Sequence, residues 1–194
     1  MKQLLKCFLF LLLAIYYGSP LYAKLQGQAP PLTGQARIDS LLRELPKQKE
    51  DTNKVNLLVA LTFANRMSNQ DEGKRYGQQA GELSAKLNWK RGIAAAKAAL
   101  GTVYLENLNY PNALECLFSA LKLQEEINDK SGTGLTTNKI GIVYFNQQNY
   151  PKALDYFFRA MKISEETGNV IGVLNTTGNV GNIHMSLGDP AGAL

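Results

Sequence analysis

Residues 141–160 read GIVYFNQQNYPKALDYFFRA, and residues 101–120 read GTVYLENLNYPNALECLFSA. Both place Gly, Tyr, Asn-Tyr-Pro, Ala-Leu and a final Ala at the same offsets, forty residues apart. A third copy starts at GNIH (181–184) and reaches DPAGAL (189–194). A degenerate earlier copy keeps Asn69, Ala80, Leu83, Asn88 and Gly92, forty residues before Asn109, Ala120, Leu123, Asn128 and Gly132. Self-similarity at a fixed period of this size is the signature of a repeat architecture.

Each unit reads as two helices. The first helices fall at about 92–107 and 132–147, the second at about 110–127 and 150–167. In the second helix, Leu114, Leu117, Phe118 and Leu121 recur at spacings of three and four, the period of one helical face. Asn69, Asn109, Asn149 and Asp189 stand where a side-chain oxygen can cap the following helix. Pro111, Pro151 and Pro190 fall in the first turn, where a missing N–H costs little. Asn88, Asn128 and Gly168 sit at helix ends, and these residue types tolerate the left-handed conformation used there.

Gly101, Gly141 and Gly181 occupy mid-helix positions, where glycine costs about 0.5–1 kcal/mol against alanine. Ala113, Ala153 and Ala193 lie opposite them, so a small-against-small approach of the two helices is expected. Tyr104 and Tyr144 would fill the space one turn on. A nucleotide-binding loop does not fit, because there is no preceding strand and no GxGxxG or Walker spacing.

With these residues in place, the pattern resembles the tetratricopeptide repeat. Gly141, Tyr144, Tyr150, Ala153, Phe157 and Ala160 match its signature in one unit, and Gly101, Tyr104, Tyr110, Ala113, Leu117 and Ala120 in another. The resemblance covers about 52–194. It implies an all-α fold, a right-handed superhelical solenoid of antiparallel helix pairs, here preceded by a signal peptide. The period is forty instead of thirty-four, and Lys97, Thr137 and Thr177 replace the family's early Trp. The expected organisation is a signal peptide at 1–23, a flexible linker at 24–36, a short capping helix at 37–50 and a repeat array at 51–194. Its units are about 52–88, 92–128, 132–168 and an incomplete 172–194. The forty-residue style behind a signal is also similar to exported sensor regions of bacterial histidine kinases and nucleotide cyclases.

The N-terminus carries that signal reading. Lys2 and Lys6 precede the apolar run CFLFLLLAIYY (7–17), then Gly18, Ser19 and Pro20 break it, and Ala23 offers a cleavage point. The run is short for a spanning helix, which needs about twenty residues. The alternative is an uncleaved anchor. Either way, residues from 24 onward are expected to be exported: periplasmic, or periplasm-facing and membrane-anchored. Membrane association is allowed for through that segment or a downstream one. The GQAPPLTG stretch (27–34) reads as linker, and IDSLLREL (38–45), stopped by Pro46, as a helix covering the first hairpin. The last hairpin breaks off in its second helix, from which a fragment is expected.

The chain has 194 residues, 45% apolar and 19% charged, with a net charge of +5. No Lys/Arg block is present, which argues against a nucleic-acid partner. Cys116 is left alone once Cys7 is assigned to the signal, so an internal disulfide is excluded there. It reads as a buried small hydrophobe, with a reactive thiol as the alternative.

A search for chemistry returns little. His184 is the only histidine and falls in the phase of Tyr104 and Tyr144, so it is read as packing within its hairpin. No ligands accompany it for a metal, no placed Ser for a triad. Glu125–Glu126 and Glu165–Glu166 point in different directions on a helix and read as solvated faces. Asn175-Thr-Thr is a glycosylation sequon by spelling only. No cofactor, metal site or small-molecule substrate is indicated, and the chain reads as a non-enzyme. The expected function is a non-catalytic protein- or peptide-binding scaffold, or the sensing region of a larger membrane-bound signalling protein.

In arrays of the family it resembles, first helices line a concave groove. Carried over by phase, the groove candidates are Asn65, Arg66, Thr102, Glu106, Asn138, Phe145, Asn146, Asn182 and Ser186. This set is rich in amides and poor in cations. It therefore favours pairing with a peptide backbone over capture of a terminal carboxylate.

Overall fold

The structure, a computed structural model, describes residues 34–188. The expected signal peptide, most of the linker and the second helix beginning near Asp189 lie outside the described residues. Within them the chain is all-helical: α1 (Gly34–Glu44), a 3₁₀ turn (Leu45–Lys47), α2 (Thr52–Asn65), α3 (Gln70–Lys86), α4 (Lys90–Glu106), α5 (Tyr110–Glu126), α6 (Lys130–Asn146), α7 (Tyr150–Glu166) and α8 (Val170–Ser186). Helix α1 begins inside the stretch read as linker, because Gln35, Ala36 and Arg37 continue the helical turn that Gly34 opens. It ends at Glu44, where Pro46 tightens the chain into the 3₁₀ turn.

The punctuation seen in the sequence does the predicted work. Asn69, Asn109 and Asn149 accept from the backbone N–H three residues on, at 3.2, 3.3 and 3.3 Å. Asp129 and Asn169 cap α6 and α8 in the same way, both at 3.0 Å. Pro111 and Pro151 sit in first turns. Asn88, Asn128 and Gly168 take φ of 50°, 54° and 65°. Leu108 and Gln148 also adopt left-handed backbone, φ 55° and 59°, at the ends of α4 and α6. Nothing in their side chains announces this. The turn imposes it: Asn109 N–H and Asn149 N–H reach back to Tyr104 O and Tyr144 O at 2.9 Å, the bond that closes a Schellman-type helix end.

Helices pair as α2/α3, α4/α5 and α6/α7, and α8 packs on α7. Each first helix also touches the next first helix, α2 to α4, α4 to α6 and α6 to α8. No second helix touches the next second helix. The stack of hairpins therefore curves, with α2, α4, α6 and α8 on its inner side. The core runs along it as successive clusters: Val55, Leu58, Leu61, Tyr76, Ala80 and Leu83, with Ile38 of α1; then Leu117, Leu121, Ile140 and Val143; then Ala153, Phe157 and Ile183. Ile38 is the residue of α1 that joins the first hairpin's buried cluster.

The glycines work differently from expectation. A Cβ on Gly101 would lie 2.7 Å from Leu117 Cγ and 3.3 Å from Ala113 O, and one on Gly141 would lie 2.6 Å from the Phe157 ring. The space is taken by a large side chain one turn beyond the alanine. It is glycine against Leu117 or Phe157, not small against small. Tyr144 stacks on Tyr156 with ring centroids 5.5 Å apart, filling the adjoining gap. Cys116 is half-buried, and burial raises its thiol pKa above the usual range. That keeps it protonated and a poor nucleophile.

Candidate binding surface on the inner face

The inner side is floored at α4 by small residues. Ala95, Ala98 and Ala99 leave little height between α2 and α6. A long side chain from α6 can therefore lie across α4 and reach α2, and Lys139 does so. Its ammonium donates to Thr102 Oγ1 at 2.5 Å and sits 4.8 Å from the centre of the Phe63 ring. Thr102 can accept because its own hydroxyl hydrogen goes to Ala98 O at 2.8 Å. Arg66 closes the end of α2, donating to Phe63 O at 2.7 Å.

Lys139 is perturbed as this setting requires. Burial first, and the positive charge of Arg66 second, lower its pKa to about 8, while Glu106 pulls the other way. Neither Arg66 nor Lys139 makes an ion pair with a carboxylate among the described residues. Two cations thus share one stretch of inner surface, with Glu106 near Lys139 but not in ion-pair contact with it. Withdrawing an ammonium from water without a counter-charge is costly, so the group either loses its proton or recruits an anion.

The residues named from phase fall out unevenly. Arg66 and Glu106 lie around Lys139, and Thr102 is buried beneath it with its hydroxyl engaged by Lys139 and Ala98 O. Asn138 belongs to the same row: its Oδ1 accepts from Asn179 Nδ2 at 2.9 Å, tying α6 to α8. Asn182, Ser186 and Asn146 are exposed, and the Ser186 hydroxyl is turned back to Asn182 O at 2.8 Å. Phe145 is half-buried against Tyr150, ring centroids 5.9 Å apart, so its ring serves the α6/α7 hairpin. Asn65 is not on the surface. It is buried, with its amide bonded to Leu61 O at 2.9 Å. The reading of the groove as poor in cations also needs correction. It missed Lys139, whose positions in phase are Val59, Ala99 and Asn179. A single lysine at a place otherwise held by small, apolar or amide residues was the available signal.

His184 is half-buried near the end of α8. No helix among the described residues is long and apolar enough to cross a membrane, and no group of three or more His, Cys, Asp or Glu there could hold a metal ion.

Antiparallel helix pairs, stacked in register at a period of forty with their first helices inward, define a helical-hairpin solenoid. A profile of the tetratricopeptide repeat matches residues 92–166. Residues 92–166 thus carry tetratricopeptide repeats, and the described helices share that fold. No match to the chain was found among curated protein sequences. Among solved structures it is similar to a Rap protein complexed with competence and sporulation factor (TM-score 0.73, 18% identity, 80% of this chain and 45% of that one). It is similar to aspartyl phosphate phosphatase F from Bacillus subtilis (TM-score 0.70, 21% identity, 78% and 40%). A third is a signal transduction ATPase with numerous domains and a tetratricopeptide-repeat sensor from Pyrococcus horikoshii (TM-score 0.67, 21% identity, 80% and 24%). The chain thus spans less than half the length of these three, and the likeness establishes the fold.

Proposed function

We propose that this chain is a non-catalytic scaffold, exported from the cytoplasm, that binds a segment of another protein along its inner face. One observation carries the reading: Arg66 and Lys139 meet over the small residues of α4, and Glu106, the nearby carboxylate, makes no direct ion pair with either. A partner carboxylate would supply the missing charge, and the amides of Asn138, Asn179 and Asn182 would hold its backbone alongside. The Rap protein of similar fold is complexed with competence and sporulation factor, which supports a binding role for such an array. Export is supported by the N-terminal Lys2–Lys6 charge and the apolar run 7–17. The test is affinity capture from envelope extract, followed by titration of the recovered partner against Lys139→Met and Arg66→Gln. Binding should weaken about tenfold or more in each, since a lost charge-assisted hydrogen bond is worth about 1.5–3 kcal/mol. A partner held equally by both variants would sink the reading.

A second reading is that the array is the sensing region of a longer membrane-bound signalling protein, such as a histidine kinase or nucleotide cyclase. It is favoured by the sensor role stated for the repeats of the Pyrococcus protein. The genomic sequence beyond Leu194 decides it: a membrane helix and a catalytic domain would establish it, and a nearby stop codon would end it.

A further inference from the structure

A second site lies at the opposite end of the first helices, away from Arg66 and Lys139. Trp89, the one tryptophan of the chain, occupies the N-cap of α4. Asp129 and Asn169 hold that place in α6 and α8 and cap with side-chain oxygens, whereas Trp89 makes no capping bond. A second departure stands beside it. Ser84, Gln124 and Ser164 recur at forty-residue intervals near the ends of the second helices. Both serines turn their hydroxyls back onto the helix, to Ala80 O at 2.6 Å and Ala160 O at 2.9 Å. Gln124 is only 5% exposed, and its Oε1 is buried with no hydrogen-bond partner.

Gln124 lines a cleft of about 420 Å³ with Trp89, Arg91, Ala95, Asp129 and Asn56. The Asp129 carboxylate accepts from Gly132 N–H at 3.0 Å and faces Arg91 at 3.7 Å, too far for a hydrogen bond. The Arg91 side chain is 65% exposed, so it can leave without uncovering a buried group. The cleft therefore offers a weakly engaged carboxylate and an indole over a floor made low by alanine, with an unused acceptor in its wall that a turn of the Gln124 side chain brings to a ligand. An acceptor and a carboxylate call for N–H donors bearing positive charge, and an aromatic wall suits a flat cation. Guanidinium meets all three demands, because it donates in two directions and stacks through its plane.

We propose that this cleft takes an arginine side chain of a bound protein or peptide, its guanidinium bonded to Gln124 Oε1 and the Asp129 carboxylate and stacked on Trp89. Arg91 swings to solvent as it enters. The site shares no residue with the Arg66–Lys139 surface, so either can fail without the other.

Because Trp89 is the sole tryptophan, its fluorescence reports on the cleft directly. The protein is titrated with N-acetyl-arginine amide, then with N-acetyl-citrulline amide, its uncharged isostere. Saturable change with the arginine probe is expected, at least about tenfold weaker with citrulline. Gln124→Ser installs the residue of the flanking units and should fold, with binding reduced by about tenfold or more. Asp129→Asn retains a capping side chain while removing the charge, and should weaken binding similarly. No saturation in the parent protein, equal affinity for citrulline, or unchanged affinity in both variants would each overturn the assignment. Water held by Gln124 alone would appear as the first of these results.

Discussion

The first hairpin, α2/α3, and the two that follow it, α4/α5 and α6/α7, reach the same packing by different residues. In the later pairs the glycine is on the first helix, and Gly101 and Gly141 receive Leu117 and Phe157. In the first pair it is on the second helix, and its gap is filled mainly from the next hairpin: a Cβ on Gly77 would lie 2.6 Å from Leu100 of α4 and 3.3 Å from Thr62 Cγ2 of α2. The ion pairs joining the far ends of each hairpin are reversed as well. Lys90 pairs with Glu126 and Lys130 with Glu166, both at 3.2 Å, whereas Glu50 pairs with Lys86 at 2.5 Å. The turns differ too. The later ones use left-handed Leu108 and Gln148, while in the first α2 ends one residue earlier in phase and no residue there has positive φ. What a hairpin needs is one missing side chain at the crossing and a closed turn. Which helix supplies the gap, and which sign of charge starts the unit, are free.

The comparison is most open to attack at the crossings. Gly141→Ala places a methyl against the Phe157 ring, which is buried and cannot yield, so unfolding free energy should fall by about 3 kcal/mol. Gly77→Ala meets the side chain of half-exposed Leu100, which can rotate away, and should cost about 1 kcal/mol. Denaturant midpoints of the two variants settle this; equal losses would mean that the two crossings are equivalent after all. Gly178, inside α8, has no atom within 4 Å of its would-be Cβ. Gly178→Ala should therefore gain about 0.5–1 kcal/mol in the same assay.

The inner face provides the next effect. The folded pKa of Lys139, about 8, lies below the ordinary lysine value of 10.5, so the unfolded chain binds more protons between these limits. This group therefore penalises the fold fully below pH 8, and the penalty fades as pH rises toward 10.5. Lys139→Met should raise the melting temperature at pH 7, with a gain of about 1 kcal/mol that shrinks by pH 10. A gain independent of pH would show that packing, not charge, is responsible. At the turns, Leu108→Gly removes a left-handed leucine whose side chain is exposed and should stabilise by about 1 kcal/mol, measured by thermal unfolding. Smallest of all, Lys90→Glu should cost about 0.5 kcal/mol, and Lys90→Glu with Glu126→Lys should recover it, reproducing the polarity of the first hairpin. A double variant no better than the single would show that the reversed sign is not neutral.

Much of this was legible beforehand. The period, caps, prolines and helix-end asparagines are local signals, each acting within one turn of chain, and all four appear in the residue string. Phase arguments put Arg66, Thr102, Glu106 and Asn138 near one another because neighbouring units place equivalent residues on equivalent faces. They failed at Asn65, whose position in phase, Leu105, faces the core as well. They missed Lys139 because its significance depends on Phe63, seventy-six positions away, and on alanines in the helix between. They also mistook glycine–alanine juxtaposition for the reason the helices meet.

The sequence by itself determined that this chain forms stacked helical pairs, where each begins and ends, and which helix of each pair is first. Those properties depend on hydrogen bonds and apolar periodicity within a few residues of one another. The tertiary structure alone decided which side chains fill the glycine gaps, that Lys139 loses water beneath Phe63, and that Gln124 is buried without a partner. Each of these depends on the distance between surfaces of different helices, a quantity no single segment contains.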